Sequence, residues 1–315
     1  MRTLVRPGEN VARRRRLQRM REAFVELALR ACAFAAVAGL LLIIGFVFRG
    51  AAPILFDPET QREASLRGFF AVPNWQPVSD VPKYGLVPLL VGTAKIVAVA
   101  MAIAVPLAVL AALFASEFAP PRVREWIKPA IELLAGIPSV VLGFFALVVL
   151  ASWLQAVTGA HVRLNAFVAG AALALGVIPT TFSVCEDALR AVPRSYREAA
   201  LALGASPWQT AWRVTLPAAS AGVAAGVLLG LARATGETMI VLMASGNAAL
   251  PTASVFDSAR TLSATIAAEL AEVVVGSPHY SVLFFLGALL FTITFAINVA
   301  AGWLVGRLRR QLAGA

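Results

Sequence analysis

Two ionisable side chains, Arg233 and Glu237, stand in an otherwise apolar stretch running from about 217 to 243. A charge at the centre of a membrane span costs about 2.5–3.5 kcal/mol on insertion scales, so it usually has a task. On a continuous helix, residues four apart share a face and can pair. A planar guanidinium donates two parallel hydrogen bonds to an oxyanion, which suits Arg233 to phosphate chemistry. Glu237 would then hold the guanidinium and temper its attraction. The other reading is a self-neutralised pair that only orients the helix.

Two further positions carry weaker signals. Lys95 lies about ten residues into a second apolar run; it either faces a pathway or reaches into a polar cavity in a packing role. Gly136-Ile137-Pro138-Ser139 interrupts a third run. The proline removes a backbone donor and the glycine loosens the turn, which gives either a packing kink or a broken span that aims free amides, beside Ser139, at an anion. Other catalytic chemistry finds no residues. Cys32 and Cys185 are far apart, and His161 and His279 have no ligand-like neighbours and read as surface residues. No lysine sits in a phosphate-binding glycine loop, no H-E-x-x-H exists, and no G-x-S-x-G elbow exists, so the chain is not expected to be an enzyme or to hold a metal.

The segment 185–216 is polar and punctuated. Pro193 followed by Arg194 to Leu203 predicts a short helix of good formers, and Gly204 stands where a left-handed residue would stop it. Ser206 is a natural N-cap, Pro207 fits the first helical position, and Gln209 can close a capping box. Two short helices with a sharp elbow follow, with Ala199, Ala200, Gly204 and Ala205 small enough to let another surface come close. An amphipathic element lying on the membrane is the plainer alternative.

These residues need a frame of spans. Of 315 residues, 59% are hydrophobic and 14% charged, and the mean hydropathy is +0.80. A soluble domain would carry about a quarter charged residues. The apolar residues fall in blocks of about 20, the length that crosses a bilayer core. The expected fold is therefore all-α: a polytopic helical membrane protein with six transmembrane helices near 31–49, 86–116, 130–156, 164–184, 217–243 and 281–305. The net charge of +10 is not read as a nucleic-acid interface. Outside the spans, 19 basic residues lie on one side and six on the other, which predicts that both termini are cytoplasmic. The apolar run 31–48 is longer than a usual export-signal core, and Arg49-Gly50-Ala51-Ala52-Pro53 makes a poor cleavage site, so it reads as a retained span. The expected layout is a basic cytoplasmic segment at 1–30, a first span at 31–49, an external loop at 50–85, a core at 86–305 with the elbow at 185–216, and a cytoplasmic tail at 306–315. A short external helix is expected within 258–275, with Leu262, Ile266 and Leu270 on one face.

Glu198-Ala199-Ala200, then Gly204, then Leu216-Pro217 resembles the EAA loop of ATP-binding-cassette importer permeases. Trp75-Gln76-Pro77, Tyr84-Gly85, Pro88 to Thr93, Gly136 to Val141 and Arg233-Ala234-Thr235-Gly236-Glu237-Thr238-Met239-Ile240 resemble the phosphate importer permeases, more the PstC-type subunit than the PstA-type. Together they cover the chain from about residue 69 to the last span. Leu142 departs from the tyrosine of that pattern, and the first 30 residues carry none of it.

The resemblance implies a type I ABC importer permease in a bacterial inner membrane. Glu198, Ala199, Ala200, Gly204 and Ser206 would dock on an ATPase subunit. Arg233 and Glu237, with Lys95 and Ser139 as further candidates, would line the substrate pathway. It implies a second permease (PstA-type), ATPase subunits (PstB-type), an external phosphate-binding protein (PstS-type) and surrounding lipid. ATP and magnesium would be bound by the ATPase partner, with no cofactor in this chain. Alternatives are a permease for sulfate, molybdate or phosphonate, the PstA-type partner, and a secondary transporter or channel. The last would need no ATPase, and no inverted repeat marks it.

Overall fold

The computed structural model describes residues 7–313. The chain divides into two compact units, the first ending at Gly50 and the second beginning at Ala51.

Helix α1 spans Pro7–Ala51 without a break. At about 1.5 Å per residue its 45 residues run roughly 68 Å. Residues 7–30 of the expected basic segment and the expected first span at 31–49 are thus parts of one helix, and residues 1–6 of that segment lie outside the described residues. Its apolar half presents Phe34, Leu41, Leu42, Ile43 and Phe46 as exposed side chains, the surface of a helix made for lipid or for other helices.

The second unit opens with three short helices, α2 (Pro53–Phe56), α3 (Pro58–Glu63) and α4 (Leu66–Ala71), and a two-stranded hairpin, β1 (Trp75–Gln76) and β2 (Lys83–Tyr84). The helix starts are encoded locally. The Asp57 carboxylate accepts from the amides of Glu59 and Thr60, and Ser65 Oγ accepts from Gly68 N at 3.1 Å. Then follow α5 (Val87–Leu113), which ends in a π-helical turn at Phe114–Phe118, and α6 (Pro121–Ala135). Next come α7 (Ser139–Phe145) and α8 (Ala151–Thr158), joined by a π turn at Ala146–Leu150. The chain continues through α9 (Ala166–Arg190), α10 (Arg194–Ala202), α11 (Pro207–Thr210), a third π turn at Ala211–Thr215, α12 (Leu216–Ala218) and α13 (Ser220–Gly236). It closes with α14 (Met239–Ala244), α15 (Leu262–Glu269) and α16 (Pro278–Ala313).

Among the described residues, five helices are long and apolar enough to cross a membrane, and a bent pair makes a sixth. Two expected boundaries are corrected. The third span starts at Ser139, not near 130, because Pro138 turns extended (ψ 139°) and separates it from α6. The fifth is not one rod from 217 to 243. Its chain bends by 72° at Ala219, and the helix stops at Gly236. The short helix expected within 258–275 is α15, eight residues long.

Small residues hold the bundle together. Lipid supplies no hydrophobic force between helices, so contact depends on close van der Waals approach. Ala100, Ala104, Ala108 and Ala112 recur every four residues along α5, and all are fully buried. Gly222, Gly226 and Gly230 recur in the same way on α13 and meet α9. A methyl group on Gly226 would lie 2.9 Å from Cys185 Sγ and 3.2 Å from the Thr181 carbonyl. One core gathers Ile96, Leu173, Val177 and Ile240; a second, at the hairpin end, gathers Phe69, Leu86, Leu89, Leu262 and Leu283; a third, at the elbow end, gathers Leu113, Phe182, Cys185 and Leu189.

Candidate functional site

The break after α13 is the first candidate centre. Gly236 ends the helix and Glu237 continues in extended backbone (φ −69°, ψ 136°). The i,i+4 relation needed to pair Arg233 with Glu237 is therefore lost, and no ion pair joins them. Glu237 instead turns its carboxylate onto the next helix: Oε1 accepts from Thr238 N at 3.1 Å and Met239 N at 3.2 Å. A carboxylate at a helix start satisfies orphan amides and the positive end of the dipole. The Glu237 carbonyl accepts from Ser263 Oγ on α15 at 2.8 Å. Arg233 is exposed and has no hydrogen-bond or ion-pair partner among the described residues.

Ser139 begins α7 directly after the Gly136–Pro138 break and is half-buried. Four residues on, Gly143 lets α7 approach α14 at the Met239 carbonyl and Ile240. The helices that start after the two breaks are therefore packed on each other. Lys95 is 8% exposed, and its Nζ donates to the carbonyls of Thr252 at 3.2 Å and Ser254 at 2.8 Å. It pins the segment between α14 and α15.

The elbow forms as its sequence demands. Gly204 has φ +85°, the left-handed stop after α10. Ser206 and Gln209 close the capping box: Ser206 N donates to Gln209 Oε1 at 2.9 Å and Gln209 N to Ser206 Oγ at 3.2 Å. Glu198, Ala199, Gly204 and Ser206 are exposed, and Ala200 is half-buried. Leu203 is 90% exposed at the corner, with Leu201, Tyr196 and Trp208 also exposed. Exposed apolar side chains of this size suit either a docked protein or a membrane surface.

The rear of the elbow is braced. Arg197 on α10 grips Glu117, in the π turn ending α5, and also donates to the carbonyls of Val192 at 2.7 Å and Leu189 at 2.9 Å. Arg124 on α6 donates to the Ala115 and Ser116 carbonyls, both at 2.7 Å. Lys128 reaches Glu186 and Asp187, each at 3.0 Å, and those carboxylates push its ammonium above the usual lysine value. Helices α5, α6, α9 and α10 are thus tied by charge at one end of the bundle.

At the hairpin end lies a cluster that the sequence did not disclose. Glu269, ending α15, accepts from Trp75 Nε1 at 3.0 Å and pairs with Arg260 at 2.7 Å. His279 Nε2 lies 3.2 Å from its other oxygen. Tyr84 stacks on His279 with ring centroids 5.7 Å apart and an interplanar angle of 21°. His279, expected at the surface, is packed in this cluster with only 17% of its side chain exposed, while His161 is exposed as expected. Burial pushes the Glu269 carboxyl up, but His279, Trp75 and Arg260 together outweigh it and hold the pKa below the ordinary carboxylate value. Burial, with the Glu63 and Glu269 charges, pushes the Tyr84 phenol up to about 12. Of the five members only Trp75 and Tyr84 fell in sequence patterns; Arg260, Glu269 and His279 carry no common spacing.

Comparison with known proteins follows this geometry. Residues 104–310 match the family described as "Binding-protein-dependent transport system inner membrane component". The phosphate transport system permease protein PstC 1 of Mycobacterium tuberculosis is 38% identical, over 72% of this chain and 74% of its own length. PstC of Mesorhizobium japonicum is 34% identical (76% and 78%), and the probable ABC transporter permease protein YqgH of Bacillus subtilis is 33% identical (74% and 76%). A bacterial ABC transporter that imports alginate has a chain of similar fold, with TM-score 0.63 over 92% of this chain and 99% of that one, at 15% identity. The helical bundle, the paired breaks and the exposed elbow therefore belong to a membrane-spanning ABC permease, and the chain is a member of the binding-protein-dependent transport system inner-membrane component family.

Proposed function

We propose that this chain is the permease subunit of an ATP-driven importer of inorganic phosphate. The observation that carries the substrate is Arg233, a guanidinium without a partner among the described residues at the end of a broken span, in a chain 33–38% identical to relatives named as phosphate permeases. A bidentate donor matches a phosphate oxyanion, and an ion bound at one such site can still leave.

In this reading a second permease of the PstA type completes the pathway, and an external binding protein of the PstS type delivers phosphate. PstB-type ATPase subunits bind ATP and magnesium and dock on Glu198, Ala199, Ala200, Gly204 and Ser206. Their closure moves the elbow, and the brace at Arg197 passes the displacement to α5. Substrate meets Arg233 beside the breaks that start α7 and α14. Glu237 contributes by fixing α14 in place rather than by pairing with the arginine. Both termini lie in the cytoplasm.

Uptake of labelled phosphate by a strain lacking this chain, with and without complementation, tests the reading. Arg233→Gln should abolish uptake while the complex still assembles, and Arg233→Lys should recover little because an ammonium cannot reproduce the bidentate geometry. Wild-type uptake by Arg233→Gln at equal protein level would remove this residue from the pathway. Undiminished phosphate uptake under excess sulfate, molybdate or phosphonate separates phosphate from those anions. For orientation, cysteines at Ser79 and Ser254 should react with an impermeant thiol reagent from outside intact cells, and one at Ser195 should not.

A further inference from the structure

Helix α15 is eight residues long, too short to cross a membrane, yet Leu262, Ser263, Ala264 and Thr265 are buried. It is held at both ends. At its start, Leu262 N donates to Thr93 Oγ1 on α5 at 3.2 Å, and Ser263 Oγ donates to the Glu237 carbonyl at the break in the fifth span. At its finish, Glu269 is held by Trp75 of the hairpin, by Arg260 and by His279 of α16. The two ends differ in kind. The first is a pair of neutral, partly buried hydrogen bonds. The second is a charge cluster whose Glu269, Arg260 and His279 side chains remain 15–17% exposed, within reach of water or of a docked protein. Two polar atoms there, Arg260 Nε and His279 Nδ1, are buried without a hydrogen-bond partner among the described residues. Unpaired buried polar atoms weaken a contact relative to a fully satisfied one. The cluster therefore combines strong charge pairing with built-in dissatisfaction, a combination suited to a contact that must both hold and release.

We propose that Glu269 is the latch of a gate formed by α15. Closed, it fixes α15 over the break at Glu237. Released from Trp75, Arg260 and His279, it frees α15 to move away from α16 and the hairpin and opens the pathway beside Arg233. Glu269 is a positioning residue, since it acts on the pathway through α15. The gating role rests on the importer reading above; the latch contact itself does not.

The test uses the full complex in lipid nanodiscs, with Cys32 and Cys185 replaced and Thr265→Cys as reporter, since Thr265 is fully buried on α15. Labelling of this cysteine by a water-soluble maleimide should be slow in the parent and faster after vanadate trapping of the ATPase. Glu269→Gln keeps an oxygen for Trp75 but removes the charge; it should raise the resting rate about tenfold, the factor that a lost charge-assisted hydrogen bond carries, and erase the difference made by trapping. Trp75→Phe keeps a ring and removes the donor, and should raise the rate by a smaller factor. Unchanged labelling in both variants, in intact complexes, overturns the latch. So does loss of assembly in both, which would make the cluster a folding element; if one variant fails to assemble, the other decides. Absence of phosphate uptake by the parent would instead defeat the importer reading, while the resting rates would still report on the latch.

Discussion

Arg197 and Glu117 stand 80 residues apart in sequence and meet in a bidentate ion pair, Nη2 to Oε1 at 2.7 Å and Nε to Oε2 at 2.9 Å. The side chains are 21% and 8% exposed, so the pair is largely shielded from water. It fastens α10 to the end of α5 while leaving the opposite face of the elbow open.

Replacing either partner should separate docking from transport. Arg197→Lys retains charge but loses the fork, and we expect phosphate uptake to fall at least tenfold while the chain still inserts and still binds its ATPase. The lost charge-assisted bonds correspond to about 1.5–3 kcal/mol, measurable as a lower thermal midpoint of the purified complex. Unaltered uptake would show that force does not pass through this pair.

Gly204 offers a separate test of the elbow's open face. Among the described residues, and apart from its chain neighbours, no atom lies within 4 Å of a Cβ added there, so the penalty for alanine is conformational rather than steric. Gly204→Ala should cost about 1–2 kcal/mol locally, the strain of left-handed backbone, and leave transport measurable. Gly204→Arg adds bulk and charge beside Leu203 and should abolish ATPase capture in a pull-down from membranes, with insertion unchanged.

The contact between α13 and α9 predicts a compensating pair. Gly226→Ala should destabilise by about 1–3 kcal/mol through overpacking against Cys185. Cys185→Ala clears the sulfur from that position and should return part of the loss in the double variant. Additive losses in thermal unfolding would place the strain elsewhere.

The Glu269 cluster predicts an acid limit. Its carboxyl is held below the ordinary 4.5, so the stability that it contributes is complete above about that value and is lost as pH falls through the lower folded pKa. Thermal midpoints between pH 6 and pH 3 should fall less steeply in Glu269→Gln than in the parent. Equal slopes would mean that Glu269 does not titrate with folding.

The sequence made the elbow legible almost atom by atom, because caps, stop glycine and short helices are local properties of Pro193 to Gln209. The apolar runs gave the spans by length. The shape of the fifth span was not legible: Gly236-Glu237-Thr238 within an apolar stretch reads equally as continuous helix, and only the packing of α14 and the Ser263 bond decide for a break. The same limit hid the Glu269 cluster, whose members come from four separate segments. Lys95 was ambiguous for a related reason, since its acceptors are backbone carbonyls, which have no signature in residue type.

Those carbonyls have a bearing on biosynthesis. Thr252 and Ser254 lie 157 and 159 residues after Lys95. A nascent chain therefore delivers the ammonium to the translocon with its first transmembrane helices and supplies its acceptors only after α13 has followed. In the interval the flexible stem must carry the charge toward the headgroups, eight residues or about 12 Å from the start of α5. The withdrawal of Lys95 beneath the segment between α14 and α15 is then a late event in maturation, and a ribosome-released fragment ending before residue 252 cannot complete it.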